Sequence, residues 1–158
     1  MKNEILNEVQ VKKISYDSRV PYELLLDADP SMQAIEKYLP FSDIYVADLR
    51  ERRIAVLVLF PLENCTVEIK NIAVETSLQR NGIGRFMIEK AIEIATDKQF
   101  KTVLIGTSNS SLGQLYLYQK CGFEITGIRH NFFIDNYAEE IFENGIQCKH
   151  MIVLCKSI

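Results

Sequence analysis

The most informative pattern of hydrophobic and polar residues lies between Val67 and Asp97. Val67, Ile69 and residues 72–74 form a nearly continuous apolar run, which is typical of a central strand covered on both faces. A polar loop follows as far as Gly82, and apolar residues then recur at spacings of three and four with charged residues between them. The pattern predicts a buried strand, a glycine-containing loop and an amphipathic helix that packs one face on a sheet.

Apolar and alternating runs elsewhere in the chain predict that this unit is part of a larger sheet. A strand is predicted over 101–107, and because a helix separates it from the strand near 67–74, the two should be parallel. The strands over 43–49 and 53–62 should form an antiparallel hairpin. The other predicted elements are strands over 9–16, 123–133 and 147–156 and helices over 21–27, 31–38 and 112–121.

Composition and charge restrict the class of protein. The 158 residues, 47% hydrophobic and 25% charged, predict a single globular domain over residues 1–158. A net charge of −3 argues against a nucleic-acid partner, since such surfaces carry excess Lys and Arg. No apolar run reaches the ~18 residues of a membrane span, and no signal peptide is evident, so we expect neither membrane insertion nor export. The four cysteines do not have the spacing of a zinc ribbon: Cys65, Cys121, Cys148 and Cys155. We therefore expect them to be reduced core residues of a cytoplasmic protein that has no metal site.

The glycine loop precedes a helix N-terminus, where free backbone N–H groups and the helix dipole favour an anion such as phosphate. A Walker loop would need Lys and Ser or Thr after its last glycine, but Arg85 and Phe86 follow Gly84. A dinucleotide fingerprint would need a small residue where Met87 stands. Both of these phosphate-binding loops fit poorly, and an ordinary turn before a helix is the simplest alternative.

The segment Gln79-Arg80-Asn81-Gly82-Ile83-Gly84 follows an Ile-Ala-Val strand end and resembles the GNAT superfamily of acyl-CoA-dependent N-acyltransferases. In that family the amides of this loop hold the pyrophosphate of coenzyme A. The resemblance therefore implies that pyrophosphate is bound by six residues, with Arg80 at a variable position of the motif: Gln79, Asn81, Gly82, Ile83, Gly84 and Arg85.

A second segment carries the other half of the resemblance. Asn109 is followed by a helix that ends in Tyr118-Gln119-Lys120-Cys121-Gly122-Phe123, which matches the family's second CoA motif. Asn109 or Ser110 is expected to cap this helix and Gly122 to end it. The resemblance implies an α/β (α+β) GNAT fold, with a mixed, mostly antiparallel sheet of about six or seven strands, about four flanking helices, and parallel, splayed fourth and fifth strands.

The resemblance also implies a reaction, the transfer of an acetyl group from acetyl-CoA to a primary amine by direct transfer in a ternary complex without a metal. The backbone of Ile72, Ala73 and Val74 should pair with the pantetheine arm, and the Asn109 side chain should add a contact. Tyr118 is the expected general acid, and Glu68 is the candidate base acting through water.

Several alternatives stay open from the sequence alone. A non-catalytic acyl-CoA-binding or sensing module would keep the glycine loop without needing Tyr118, which could be a core tyrosine. Glu68 could equally serve in surface charge or structural pairing. The acceptor could be a polyamine, an aminoglycoside, an amino acid or a peptide N-terminus, and a homodimer is compatible with the chain. Candidate contacts to the acceptor, each with a structural alternative, are Tyr22, Leu25, Tyr38, Glu139, Glu140 and Glu143.

Overall fold

The computed structural model describes residues 2–17 and 19–158. The strands are β1 (Val9–Ile14), β2 (Asp43–Leu49), β3 (Arg52–Leu62), β4 (Thr66–Val74), β5 (Thr102–Ser108), β6 (Glu124–Arg129), β7 (Phe142–Glu143), β8 (Ile146–Gln147) and β9 (Met151–Ser157). The α-helices are α1 (Lys2–Glu8), α2 (Tyr22–Ala28), α3 (Met32–Tyr38), α4 (Ile83–Asp97), α5 (Leu112–Lys120) and α6 (Phe132–Asn136). No helix within the described ranges is long and apolar enough to cross a bilayer.

Seven strands form one mixed sheet in the order β1-β2-β3-β4-β5-β9-β6, and β7 and β8 form a separate hairpin. All neighbours in the large sheet are antiparallel except β4 and β5, which are parallel. The long connection between those two strands contains α4, as a parallel crossover requires. The predicted fold class and the predicted parallel pair are confirmed.

The parallel pair separates partway along its length. Thr66–Ile69 of β4 pair with Thr102–Ile105 of β5, and within the described chain the pairing ends there although both strands continue. On the other side of β4, Val58 pairs with Asn71 and Leu59 with Ile69, so Lys70 is an extra residue that forms a β-bulge. A bulge bends its strand and increases the local twist, which fits the parting of β4 from β5 at this level.

Two hydrophobic clusters cover the two faces of the sheet. Side chains of successive strand residues alternate between faces, and along β3 Leu57 belongs to one cluster while Val56 and Val58 belong to the other. The first cluster includes Met87, Ile88, Ala91 and Ala95 of α4, all with 0% exposure. The second is covered by α2 and α3 through Leu24, Leu25, Ile35 and Tyr38. The sheet therefore lies between helices on both sides, and its central strands are buried.

The helix α5 ends in a Schellman motif at the Tyr-x-x-x-Gly-Phe segment. The Phe123 amide donates to the Tyr118 carbonyl at 3.0 Å, and the Gly122 amide donates to the Gln119 carbonyl at 3.0 Å. Gly122 has a φ of +90°, the left-handed conformation that glycine adopts at this position. The rings of Tyr118 and Phe123 lie 6.4 Å apart, which supplies the hydrophobic contact that accompanies the motif.

Two sequence expectations near the C-terminus are corrected by the structure. The strand predicted over 123–133 ends at Arg129, because Asn131 takes a φ of +56° and starts α6. The final strand begins at Met151 and not at residue 147, since Ile146–Gln147 belongs to the β7–β8 hairpin. Asn144 and Gly145 both have positive φ, as the hairpin turn favoured by an Asn-Gly pair requires.

Two further expectations fail elsewhere, and one helix lies where none was predicted. The N-terminal helix α1 was not predicted, and Cys65 is exposed and not a core residue. The cap of α5 is neither Asn109 nor Ser110 but Ser111, whose side chain makes no capping bond. Ser111 Oγ instead donates to Glu143 Oε2 at 2.6 Å, which ties the β7–β8 hairpin to the start of α5.

We predict that Gly122→Ala lowers the free energy of unfolding by about 1–2 kcal/mol, because a residue with a Cβ is strained at a φ of +90°. Gly113→Ala is the matched control, since a Cβ at Gly113 would meet nothing within 4 Å and Ala favours a helix over Gly. Urea unfolding measures both variants. Equal free energies of unfolding for the two variants would contradict the left-handed cap.

Candidate active site

Two cavities lie where β4 and β5 part. The larger, of about 690 Å³, adjoins the glycine loop, and the smaller, of about 180 Å³, lies beside Glu68 and residues 70–72 of β4. Ile72 and Tyr118 line both. A group bound in one cavity can therefore meet a group bound in the other beside Tyr118.

The glycine loop forms one wall of the larger cavity and is braced by its own side chains. Gln79 Nε2 donates to the Val74 carbonyl at 3.1 Å, and Asn81 Nδ2 donates to the Leu78 carbonyl at 3.1 Å. Gly82 caps α4 in the left-handed conformation, with a φ of +85°. Because α4 has 15 residues, its first amides and its dipole offer an anion site at this wall.

Neither the backbone conformation nor the packing of the fold requires a glycine at position 84. Its φ is not left-handed, and an added Cβ would meet only Leu117 Cδ2, at the ordinary contact distance of 3.7 Å. The fold would accept a side chain here, but that side chain would occupy the larger cavity. The absence of a Cβ thus keeps the cavity open beside the start of α4.

The structure brings most of the predicted cofactor residues to the larger cavity. The residues of that set which line it are Ile72, Ala73, Val74, Gln79, Arg80, Gly82, Gly84, Arg85 and Tyr118. Ile83 is a core residue with 1% exposure, and the Asn81 side chain is used inside the loop, so only their backbones are available to a ligand. Arg85 Nε contacts Glu89 Oε1 at 2.9 Å on the exposed side of α4.

Asn109 does not line either cavity. Its Nδ2 donates to the Gln147 carbonyl at 3.1 Å, and its Oδ1 accepts from the amides of Lys149 and His150 at 2.8 and 2.9 Å. These three bonds hold the segment that leads into β9. The geometry therefore gives no support to the predicted side-chain contact with the cofactor and assigns Asn109 a structural role.

Tyr118 is buried between the two cavities, with 6% exposure. Burial raises the pKa of its phenol above the ordinary value, and the charge of Glu143 raises it further. Among the described residues no hydrogen bond engages this hydroxyl. The phenol is therefore protonated at neutral pH and available as a donor to a bound group.

Glu68 lies on the wall of the smaller cavity with 5% exposure. Its Oε1 is 3.7 Å from Lys70 Nζ, a long contact that leaves carboxylate oxygen available to the cavity. The two roles that the sequence left open for Glu68, structural pairing and catalysis, are thus both compatible with the structure. The residue contacts Lys70 and also lines the smaller cavity. Within the described ranges, no three His, Cys, Asp or Glu side chains are grouped as metal ligands would be.

Sequence reasoning missed several polar residues of the smaller cavity. Lys70 and Asn71 interrupt the apolar run of β4, and this interruption was the available signal. Asp29, from the α2–α3 connection, accepts from the Tyr137 hydroxyl at 2.8 Å and closes the cavity from the opposite side. Burial raises the pKa of the Asp29 carboxyl and of the Tyr137 phenol.

The candidate acceptor contacts are sorted by their positions. Glu143 lines both cavities, whereas Glu139 and Glu140 are exposed and line neither. Leu25 and Tyr38 are core residues of the α2–α3 face. The end of α2 and the start of its connection to α3, residues 27–30, form the wall instead.

The chain belongs to the Acetyltransferase (GNAT) family, which it matches over residues 11–123. The sheet, the glycine loop and this match define an acyl-CoA-dependent acyltransferase. The predicted family and enzyme class are confirmed.

Known proteins extend this match over nearly the whole chain. An uncharacterized N-acetyltransferase of Bacillus subtilis, YvbK, is 49% identical over 133 residues, which are 84% of this chain and 86% of that protein. A GNAT family acetyltransferase from Elizabethkingia anophelis, crystallised with acetyl-CoA bound, has a TM-score of 0.94 and 46% identity, covering 96% of this chain and 99% of the other. A Bacillus subtilis acetyltransferase in complex with CoA has a TM-score of 0.90 and 43% identity, covering 95% and 99%. These relatives confirm acetyl-CoA as the predicted co-substrate.

We predict that Gly84→Val reduces CoA affinity by at least ~10-fold in calorimetric titration, because its side chain would fill the cavity beside the α4 amides. The melting temperature should change little. Gly127→Val is the matched control, since Gly127 lies outside both cavities and a Cβ there would meet nothing within 4 Å. Wild-type affinity in a folded Gly84→Val protein would reject the loop as the pyrophosphate site.

Proposed function

We propose that the protein transfers the acetyl group of acetyl-CoA to a primary amine by direct attack within a ternary complex. The observation that carries this function is the shared wall of the two cavities, where Ile72 and Tyr118 face both. A reactant bound in one cavity can meet a reactant bound in the other beside these two residues, without a covalent intermediate on the protein. Holding them in one orientation supplies much of the acceleration of a bimolecular reaction.

The larger cavity fits coenzyme A in both charge and shape. Arg80 and Arg85 add positive charge to the amides at the start of α4, where a pyrophosphate would bind. Residues 72–74 have no partner strand on the β5 side within the described chain, so their backbone can pair with the amides of a pantetheine arm. Acetyl-CoA supplies the activated thioester, and the protein holds it in place.

Tyr118 is proposed as the general acid. A buried phenol with a raised pKa keeps its proton at working pH and can donate it to the departing thiolate. Glu68 is proposed as the base that takes a proton from the acceptor amine through water, supported by its burial on the wall of the smaller cavity. Tyr118 belongs to α5 and Glu68 to β4, and both residues line the smaller cavity.

The direct test measures thiol release from acetyl-CoA against a panel of amines, with mass spectrometry of the product. An N-acetylated amine formed at a rate dependent on both reactants supports the function. A labelled acetyl group retained on the protein without an acceptor would contradict direct transfer. CoA binding without turnover of any amine would favour a binding or sensing module.

We predict that Tyr118→Phe lowers kcat by ~100-fold or more, because Phe fills the same volume without the acidic proton. CoA affinity and melting temperature should hold, since the ring contact with Phe123 is retained. Tyr116→Phe is the matched control, as Tyr116 lies on the same helix with 67% exposure and lines neither cavity. Full turnover in Tyr118→Phe, or an equal loss in Tyr116→Phe, would remove Tyr118 from the chemistry.

The raised pKa of Tyr118 also predicts the alkaline part of the pH profile. A phenol normally loses its proton near pH 10, and burial moves that loss to higher pH. Ionisation of Tyr118 should therefore cause no decline of the wild-type kcat below about pH 10. Up to that pH, the profiles of the wild type and of Tyr118→Phe should have the same shape. A descending limb near pH 8 that disappears in the variant would contradict this, because the phenol would then ionise below its ordinary pKa.

We predict that Glu68→Gln lowers kcat/KM most at low pH, where the acceptor amine is mostly protonated and a base contributes most. Glu139→Gln is the matched control, because Glu139 is exposed and lines neither cavity. The measurement is kcat/KM from pH 6 to 9. A Glu68→Gln profile parallel to wild type at every pH would reject the base.

A further inference from the structure

The smaller cavity restricts the size of whatever it binds. Its volume is about 180 Å³, and a protein cavity of ~150 Å³ is enough to hold benzene. A single ring with a short arm therefore fits, whereas an aminoglycoside or an extended peptide does not fit within it.

The charge of the cavity wall favours a cation and disfavours a carboxylate. Asp27, Asp29, Glu68 and Glu143 line it, and Lys70 is the one basic side chain among the described lining residues. Lys70 offsets one of these four negative charges, since its Nζ lies 3.7 Å from Glu68 Oε1 and 5.7 Å from the centroid of the Tyr38 ring. A ligand that carries an ammonium group compensates the remaining acidic charge, and one that carries a carboxylate adds to it.

Asn71 gives an independent sign of a ligand. Its Nδ2 donates to the Leu25 carbonyl and to the Tyr38 hydroxyl, both at 3.0 Å, which fixes the orientation of the amide. Its Oδ1 has no hydrogen-bond partner and is the only buried side-chain oxygen or nitrogen atom in the described ranges without one. The side chain is 4% exposed and lies on the cavity wall. A buried carbonyl oxygen left unpaired costs free energy, and a ligand N–H that reaches it through a small movement of the cavity wall would satisfy it.

One part of the cavity wall is aromatic. Phe132 and Phe133 of α6 line the cavity with ring centroids 5.2 Å apart, and the Phe133 ring is 5.6 Å from that of Tyr137. Such a wall suits a compact apolar body, and an ammonium group near these rings gains further from their π faces.

We propose that the acceptor is a small arylalkylamine-like compound, with an amine, a compact aromatic or similarly shaped apolar body and no carboxylate. The amine donates a hydrogen bond to Asn71 Oδ1, and the body packs against Phe132 and Phe133. This specificity rests on the proposed acetyl transfer. It excludes three of the four acceptor classes left open by the sequence, namely aminoglycosides, amino acids and peptide N-termini, and the fourth, the polyamines, lacks the compact apolar body.

The specificity can be tested on the wild-type protein with two acceptors that have the same apolar body and two larger acceptors. 2-Phenylethylamine and phenylalanine differ only by the carboxylate, and trialanine and kanamycin represent the larger classes. We expect kcat/KM for 2-phenylethylamine to exceed that for each of the other three by at least 100-fold. A value for phenylalanine, trialanine or kanamycin equal to or above that for 2-phenylethylamine would overturn the proposal while leaving the acetyltransferase function intact.

Binding separates failure of the specificity from failure of the reaction. Each of the four compounds is titrated calorimetrically into the CoA complex. Binding of 2-phenylethylamine alone without any thiol release would support the cavity assignment and reject the acetyl transfer. No binding of 2-phenylethylamine would overturn the cavity assignment, whether or not another amine turns over.

Asn71 is tested by a pair of variants that separate positioning from structure. Asn71→Leu should raise KM for the amine by ~10-fold or more and leave CoA affinity unchanged, because the acceptor oxygen is lost. Tyr38→Phe removes a partner of Asn71 Nδ2, leaves Oδ1 in place and does not touch the cavity, so its KM should stay within ~2-fold of wild type. Equal rises of KM in both variants would mean that Asn71 serves only the fold.

A third variant keeps the test decisive if Asn71→Leu does not fold. Asn71→Asp retains an acceptor oxygen and the size of the side chain, but it loses the amide that bonds to Leu25 and Tyr38. We expect its melting temperature to fall while KM for the amine stays near wild type or decreases. A rise of KM by ~10-fold in this variant would overturn the role of the oxygen.

Discussion

The parting of β4 and β5 is the constraint on which the rest of the site depends. Each strand is held on its outer side along its length, β4 by β3 and β5 by β9, so the two cannot close the gap by moving freely. The extra residue at Lys70 bends β4 at the level where pairing with β5 ends. The gap leaves room for two cavities, and it leaves backbone groups of β4 available in the centre of a sheet.

The position of Tyr118 depends on the end of α5. The Schellman motif needs glycine at 122 and an apolar contact between the residues at 118 and 123, and a tyrosine meets that second need as well as a phenylalanine does. The same side chain can therefore anchor the helix end with its ring and face both cavities. The structural and the chemical readings of this residue, which compete when only the sequence is known, are compatible in the fold.

The centre of the fold could be predicted from the sequence, whereas the acceptor side could not. The strand, loop and helix over 67–97 have strong periodicity, and their glycines have specific backbone or space requirements. Between 129 and 150 the course of the chain depends on single left-handed residues, Asn131, Asn144 and Gly145, which periodicity does not register. The smaller cavity combines residues from 27–30, 68–72, 105–118 and 132–151, so no single stretch of sequence contains it. Asn109 shows the same limit, since the partners of its side chain lie about forty positions away along the chain.

The backbone of β4 beyond Ile69 behaves as a sheet edge enclosed within a sheet. Edges of this kind are usually covered or paired, because unsatisfied N–H and C=O groups cost free energy and attract other strands. Here a small molecule with its own amides can take the place of the missing neighbour. The folded state then gains stability by mass action as that molecule accumulates, by about 2.7 kcal/mol at one hundred times its dissociation constant. The thermal tolerance of this protein would thus follow the cellular concentration of its acyl donor, in addition to the quality of its core.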